Sequence, residues 1–141
     1  MRLLGLDIGE RRIGIAVSDE LGMTAQGIST LYRGNPEEDI RRLAGIIREW
    51  SGEKIVVGLP RNMNGTYGPQ SQKVKDFIEE LKSEIPIETI YWDERLTSVA
   101  AERTLIEGNV SRKKRKTVID KIAAVMILQG YLDRMSLKRP D

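Results

Sequence analysis

Leu3-Leu4-Gly5-Leu6-Asp7-Ile8-Gly9-Glu10-Arg11-Arg12-Ile13-Gly14-Ile15-Ala16-Val17 joins two apolar runs through a tight polar turn and sets one carboxylate, Asp7, into the first run. Strand alternation puts Leu4, Leu6 and Ile8 on one face and Leu3, Gly5 and Asp7 on the other. Both faces are largely apolar, which is the signature of an interior strand. An ionised carboxylate moved there without a partner loses several kcal/mol of hydration or shifts its pKa. Asp7 therefore either caps the Ile8-Gly9-Glu10-Arg11 turn, as Asp does at strand ends, or stands beside a cation, a donor cluster or a metal.

Outward from that stretch, Arg12 to Ser18 is a second strand, with Ile13, Ile15 and Val17 alternating against Gly14 and Ala16. Two small residues on one face call for something packed closely above it. Asp19-Glu20-Leu21-Gly22 is a turn, and Met23 to Tyr32 is a third strand at an edge. Connections this short make the three an antiparallel meander. Asn35 then caps a helix with Pro36 at its first position and Glu38 at its third. Ile40, Leu43, Ala44, Ile47 and Trp50 form its apolar stripe, and Gly52 ends it. Lys54 to Leu59 is a buried fourth strand, Pro60 to Pro69 a loop, and Val74, Phe77, Ile78 and Leu81 the stripe of a second helix. Ile85 to Trp92 is a fifth strand, so this half reads β-α-β-α-β and its strands are parallel. Asp93-Glu94-Arg95 closes that strand, Thr97 or Ser98 opens a short helix to about Glu107, Gly108 to Lys116 is a basic loop, and Thr117 to about Met135 is the last helix. The fold class is α/β: a five-stranded mixed sheet, its first three strands antiparallel, flanked by helices.

The 141 residues are expected to form one domain, 1–141, with 40% apolar and 31% charged residues. No apolar run approaches the roughly 18 residues of a membrane span, and the N-terminus lacks a signal-peptide pattern, so a cytoplasmic location with no membrane partner is expected. The absences constrain the chemistry more tightly. Without Cys there is no thiol nucleophile, thiolate zinc site or disulfide, and without His there is no Ser-His-Asp triad. Hydrolysis here has to run on carboxylates, Lys, Tyr or a metal.

Ligand sites in sheets of this kind form where parallel strands end. Asp7 lies near the end of the first strand, Leu59-Pro60 ends the fourth and Asp93-Glu94 the fifth. If the first strand runs parallel to those two, their ends share an edge. Asp120 supplies a third carboxylate, since Ala123, Ala124 and Ile127 follow it on one helical face that is buried and small enough for close approach to the sheet. The alternative is an Asp favoured by the helix dipole at an N-terminal turn. Around these carboxylates lie Arg11 and Arg12, Arg61 and Asn62, Arg95, and the run Arg112, Lys113, Lys114, Arg115, Lys116. A charge run is commonly a solvated loop. Its placement next to the Asp120 helix favours phosphate binding instead.

LDIGERRIGIAVSD, VVGLPRNMNG, DERLTS and VIDKIAAVMIL, in that order and spacing, resemble the YqgF family of bacterial RNase H-like nucleases, also described as Holliday-junction-resolvase-like. The resemblance covers essentially the whole chain. It implies an RNase H-like fold with strand order 3-2-1-4-5, and Asp7, Glu94 and Asp120 as catalytic residues and ligands of divalent magnesium or manganese, two ions with substrate bound. It further implies processing of the precursor of small-subunit (16S) ribosomal RNA, with ribosomal precursor particles as partners, and Holliday-junction or branched-DNA cleavage as the alternative. Resolvase-type enzymes place a carboxylate on the fourth strand where this chain has Gly58-Leu59-Pro60, and Ala123 stands three residues after Asp120.

The residues suit that chemistry, because two hard cations held by oxygen ligands can hydrolyse a phosphodiester without His or Cys. Asp93 is a poorer ligand than Glu94, since adjacent strand residues face opposite ways. Two other classes remain open on sequence: a non-catalytic nucleic-acid-binding module of ribosome assembly, which the absent fourth carboxylate suggests, and an actin-like ATP-binding protein, which LDIG suggests but which needs two such domains. Structured RNA and branched DNA are equally compatible with phosphate and metal contacts. No apolar stripe is left over to specify a dimer, and the sequence does not fix the oligomeric state.

Overall fold

β1 (Arg2–Ile8), β2 (Arg12–Ser18) and β3 (Ala25–Tyr32) form an antiparallel meander, and β4 (Gly52–Leu59) and β5 (Glu88–Asp93) continue the sheet in parallel from the other side of β1, in the order β3-β2-β1-β4-β5. The structure, a computed structural model, describes residues 1–60, 65–93 and 112–138, and the side chains of 1–60, 65–93 and 121–136 among them. The short helix expected over 97–107 lies outside the described residues. The alternation of β1 sorts the chain into two cores. Leu4, Leu6 and Ile8, with Ile13, Ile15 and Val17, pack against α1 (Pro36–Glu49) and α2 (Pro69–Glu84) through Leu43, Ile47, Val74, Phe77 and Leu81. Leu3, Ala16 and Val56 pack on the other face against Ala124, Ile127, Leu128 and Leu132 of α3 (Arg112–Lys138). Each such fully buried Leu or Ile contributes roughly 1.5–3 kcal/mol of apolar burial, so both layers are needed to hold the sheet.

The α3 face carries the small residues. Gly5 pairs with Ala16 and Ala16 with Gly27, a row across three strands on which the helix lies. A Cβ at Gly5 would stand 2.7 Å from the Ala124 carbonyl oxygen, and one at Gly27 would stand 2.6 Å from the Lys121 side chain. Gln129 fastens the edge strand to α3: its amide oxygen accepts from the Ala25 N–H at 2.8 Å and its amide nitrogen donates to the Met23 carbonyl at 3.0 Å.

Several element ends differ from those expected, each for a local reason. β3 starts at Ala25 rather than Met23, because the Met23 and Thr24 amides donate to the Asp19 carboxylate at 2.7 and 3.4 Å. Those bonds, with Met23 the strongest, hold the Asp19 pKa below its ordinary value. β5 starts at Glu88 rather than Ile85, because the Ile85 amide closes α2 by donating to Leu81 and Pro86 has no N–H. Gly52 does not end α1. The helix stops at Glu49, Ser51 takes the left-handed conformation with φ 53°, and Gly52 opens β4, its missing side chain leaving room for Leu4. The Asn35 cap is as expected, its side chain accepting from the Glu37 N–H at 2.9 Å with Pro36 next. α3 begins at Arg112 rather than Thr117, so Arg112 to Lys116 is helical and not a loop. Arg and Lys are good helix formers and no Gly or Pro interrupts the run.

Gly45 contrasts with the glycines under α3. It sits inside α1 with nothing within 4 Å of a Cβ placed there. Gly45→Ala is expected to raise stability by about 0.5–1 kcal/mol, by removing backbone freedom from the unfolded chain. A thermal melt checks it; an unchanged or lower Tm contradicts it.

Candidate functional site

Asp7 is half-buried near the carboxyl end of β1, on the face covered by α3. It pairs with Gly14 of β2, and one further step of the β1–β4 register beyond Leu6–Val57 sets Gly58 on its other side. A carboxylate flanked by two glycines has no Cβ beside it in the sheet, which leaves lateral room for a cation or a phosphate. Since β1, β4 and β5 are parallel, their ends share one edge of the sheet, as the site reading requires.

The docking of α3 fixes where Asp120 falls. Ala124 and Leu128 stand over Gly5, and Leu132 packs with Leu3, so α3 runs antiparallel to β1. Asp120 precedes Ala124 by one turn, about 6 Å along the axis. Asp7 lies two residues beyond Gly5, about 6.6 Å along the strand in the same direction. The helix therefore delivers the backbone of Asp120 to the level of Asp7; its side chain lies outside the description. Asp93 pairs with Leu59, which belongs to the α1/α2 core, so it falls on the face opposite Asp7. Glu94, Arg95, Arg61 and Asn62 lie outside the described residues.

Arg11 is exposed and Arg12 half-buried in the turn that follows Asp7. The turn is closed by the Gly9 N–H donating to the Arg12 carbonyl at 2.8 Å and is tied to β3 by the Arg33 N–H donating to the Arg11 carbonyl at 2.8 Å. Its open side forms a recess of about 200 Å³ lined by Gly9, Glu10, Arg11 and Arg12. Arg112, Lys113, Lys114, Arg115 and Lys116 belong to the first turns of α3, before Asp120. The loop after β4 is anchored on the other side, where the buried Ser71 hydroxyl donates to the Pro60 carbonyl.

Among the described residues no three acidic side chains converge on one point. The donor chemistry nonetheless fits a hard divalent ion, because Asp7 offers oxygen, has room on both flanks, and the chain contains neither His nor Cys. Arg33 and Asp39 were missed by sequence reasoning. Asp39 stands one turn before Leu43 on the buried stripe of α1, and that position, inside an apolar stripe, is the signal that marks it.

The chain matches the family model described as "RuvX: Holliday junction resolvase" over residues 1–134. It is 59% identical over 133 residues to a Clostridium tetani protein named "Putative pre-16S rRNA nuclease", covering 94% of this chain and 96% of that one. A protein of the same name from Halalkalibacterium halodurans is 56% identical over 140 residues, covering 98% of this chain and all of its own. Among solved structures, T. thermophilus RuvC in complex with a Holliday junction substrate superposes with a TM-score of 0.61 at 13% identity, covering 96% of each chain. The fowlpox virus Holliday junction resolvase gives 0.59 at 14%, covering 96% of this chain and 99% of that one. Those two likenesses establish the resolvase-type, RNase H-like fold.

Proposed function

The chain belongs to the RuvX family, and from that premise we propose that it hydrolyses phosphodiester bonds of nucleic acid with divalent metal, acting on the precursor of 16S ribosomal RNA. The observation that carries the reading is Asp7, set between glycines at the shared edge of the parallel strands, with α3 bringing Asp120 to its level. Asp7, Glu94 and Asp120 would hold the metal. Magnesium or manganese, two ions with substrate bound, would supply Lewis acidity toward the attacking water and the leaving oxygen. Asp7, on the most constrained strand, fixes one point of that arrangement, and Asp120 is held by the seat of α3 on Gly5. Arg11 and Arg12, with Arg61, Asn62, Arg95 and Arg112 to Lys116, grip the phosphates and set the strand's register without reading its bases.

Branched DNA is the second reading, favoured by the description of the family model. One assay separates the two: purified protein with magnesium, manganese or chelator, offered precursor 16S RNA and a four-way DNA junction in parallel. Metal-dependent cutting of the RNA alone supports the first reading, and cutting of the junction alone selects the second. Absence of cutting, with binding retained, transfers the chain to the non-catalytic assembly class. In every case binding is expected to weaken with salt, with a slope of log K on log salt steeper than about −3 if the basic run of α3 meets five phosphates. A flat salt dependence removes the basic run from the interface.

A further inference from the structure

The turn after Asp7 does not hold its shape alone. Arg33, at the start of the β3–α1 connection, binds it twice: its backbone N–H donates to the Arg11 carbonyl at 2.8 Å, and its guanidinium donates to the Gly9 carbonyl at 2.7 Å. The guanidinium is held from two other elements. Its Nε lies 3.6 Å from Asp39 Oδ2 on α1, and its Cζ lies 4.7 Å from the centroid of the Phe77 ring on α2. Asp39 is 1% exposed, and its Oδ1 accepts from the Gly34 N–H at 3.0 Å. Its Oδ2 has no hydrogen bond, so Arg33 is the cation that compensates it. The remaining side of Arg33 borders an open cavity of about 500 Å³ shared with Glu10, Lys73 and Gln70. Packing on that side does not set the guanidinium, so the three contacts do.

We propose that Arg33, locked by Asp39 and Phe77, is a positioning residue for the Gly9–Arg12 turn and so for the phosphate grips Arg11 and Arg12. The placement separates two effects. Asp7 is paired within the β1–β2 ladder and keeps its position if the turn loosens, whereas Arg11 lies in the turn outside the ladder and Arg12, the first residue of β2, loses its turn-side support. Only Arg offers a fork of several donors that can meet a carbonyl and a carboxylate while its carbon stays over a ring; Lys retains the charge and loses the geometry.

The test is Arg33→Lys, with hydrogen exchange and cleavage kinetics as independent readouts. Exchange of the Gly9 amide, which closes the turn, should speed up about tenfold relative to wild type, while the amides of β1 stay protected. The KM for nucleic acid should rise about tenfold, with kcat within about threefold, as expected when grips and not the reacting groups are misplaced. The kinetic arm rests on the nuclease reading and the exchange arm does not, so a wild-type protein that fails to cut would defeat that reading alone. Unchanged exchange in a folded Arg33→Lys protein overturns the proposal, as does a fall in kcat with KM unaltered. If Arg33→Lys does not fold, Asp39→Asn, which preserves shape and removes the locking charge, carries the same two readouts with the same expected directions.

Discussion

Asp7→Asn is expected to lower the cleavage rate by on the order of 10³-fold or more while moving the Tm by no more than about 3 °C. The two parts have separate grounds. Asn has the shape of Asp and fits the same slot between Gly14 and Gly58, so strand pairing on both sides of β1 is retained. What it loses is the negative charge, and a neutral amide oxygen is a weak ligand for a divalent cation. A 10³-fold loss corresponds to about 4 kcal/mol of transition-state stabilisation, which no exposed grip residue can supply singly. Cleavage and melting of the two proteins in magnesium and in chelator decide it. Full activity in Asp7→Asn would remove the carboxylate from the chemistry, and a collapse of the Tm would make it a structural residue instead. Retained binding with no cutting is the outcome that separates catalysis from capture.

The face on which Asp7 lies was legible in the sequence because β1 is constrained on both faces. Alternation assigned Leu4, Leu6 and Ile8 to one core and Gly5 and Asp7 to the other, and the two cores are separated along that line. The small residues of β2 call for a close neighbour, which is α3, packed on Ala16. Element ends were less legible wherever a side chain competed for backbone groups. Asp19 takes the amides that would have begun β3 two residues earlier, and Ser51, not Gly52, adopts the left-handed turn at the end of α1. A run of charge such as Arg112 to Lys116 suggests a loop, yet its residues are good helix formers and α3 includes them. The pairing of Arg33 with Asp39 was illegible for a different reason, although the place of Asp39 on the apolar stripe of α1 marks that residue by itself. Its meaning lies in contacts among the β1–β2 turn, α1 and α2, and no spacing within a single element encodes those.

Gly5→Val is expected to lower stability by about 3 kcal/mol, or roughly 10 °C in Tm, and in addition to cut activity about 100-fold at temperatures where the variant is folded. A Cβ at Gly5 would stand 2.7 Å from both the Ala124 carbonyl oxygen and the Leu128 Cβ, against 3.4–4 Å for ordinary contact. One of those atoms is backbone and the other is fixed to it, so neither can swing aside. The helix has to lift by about 1 Å, because a core packed to crystal density has no slack to absorb the difference. Lifting loosens Ala124, Ile127, Leu128 and Leu132 from the sheet and strains the Gln129 bonds to Met23 and Ala25 at the start of β3, which gives the loss of stability. It also carries Asp120 away from Asp7, since the contact that is forced apart lies one turn from Asp120 and two residues from Asp7. Melting curves and rates measured well below the lower Tm separate the two effects. A lowered Tm with a normal rate would mean that α3 is a lid on the core with no part in the chemistry. Loss of both makes the small-residue row beneath the helix the element that couples the fold to the site.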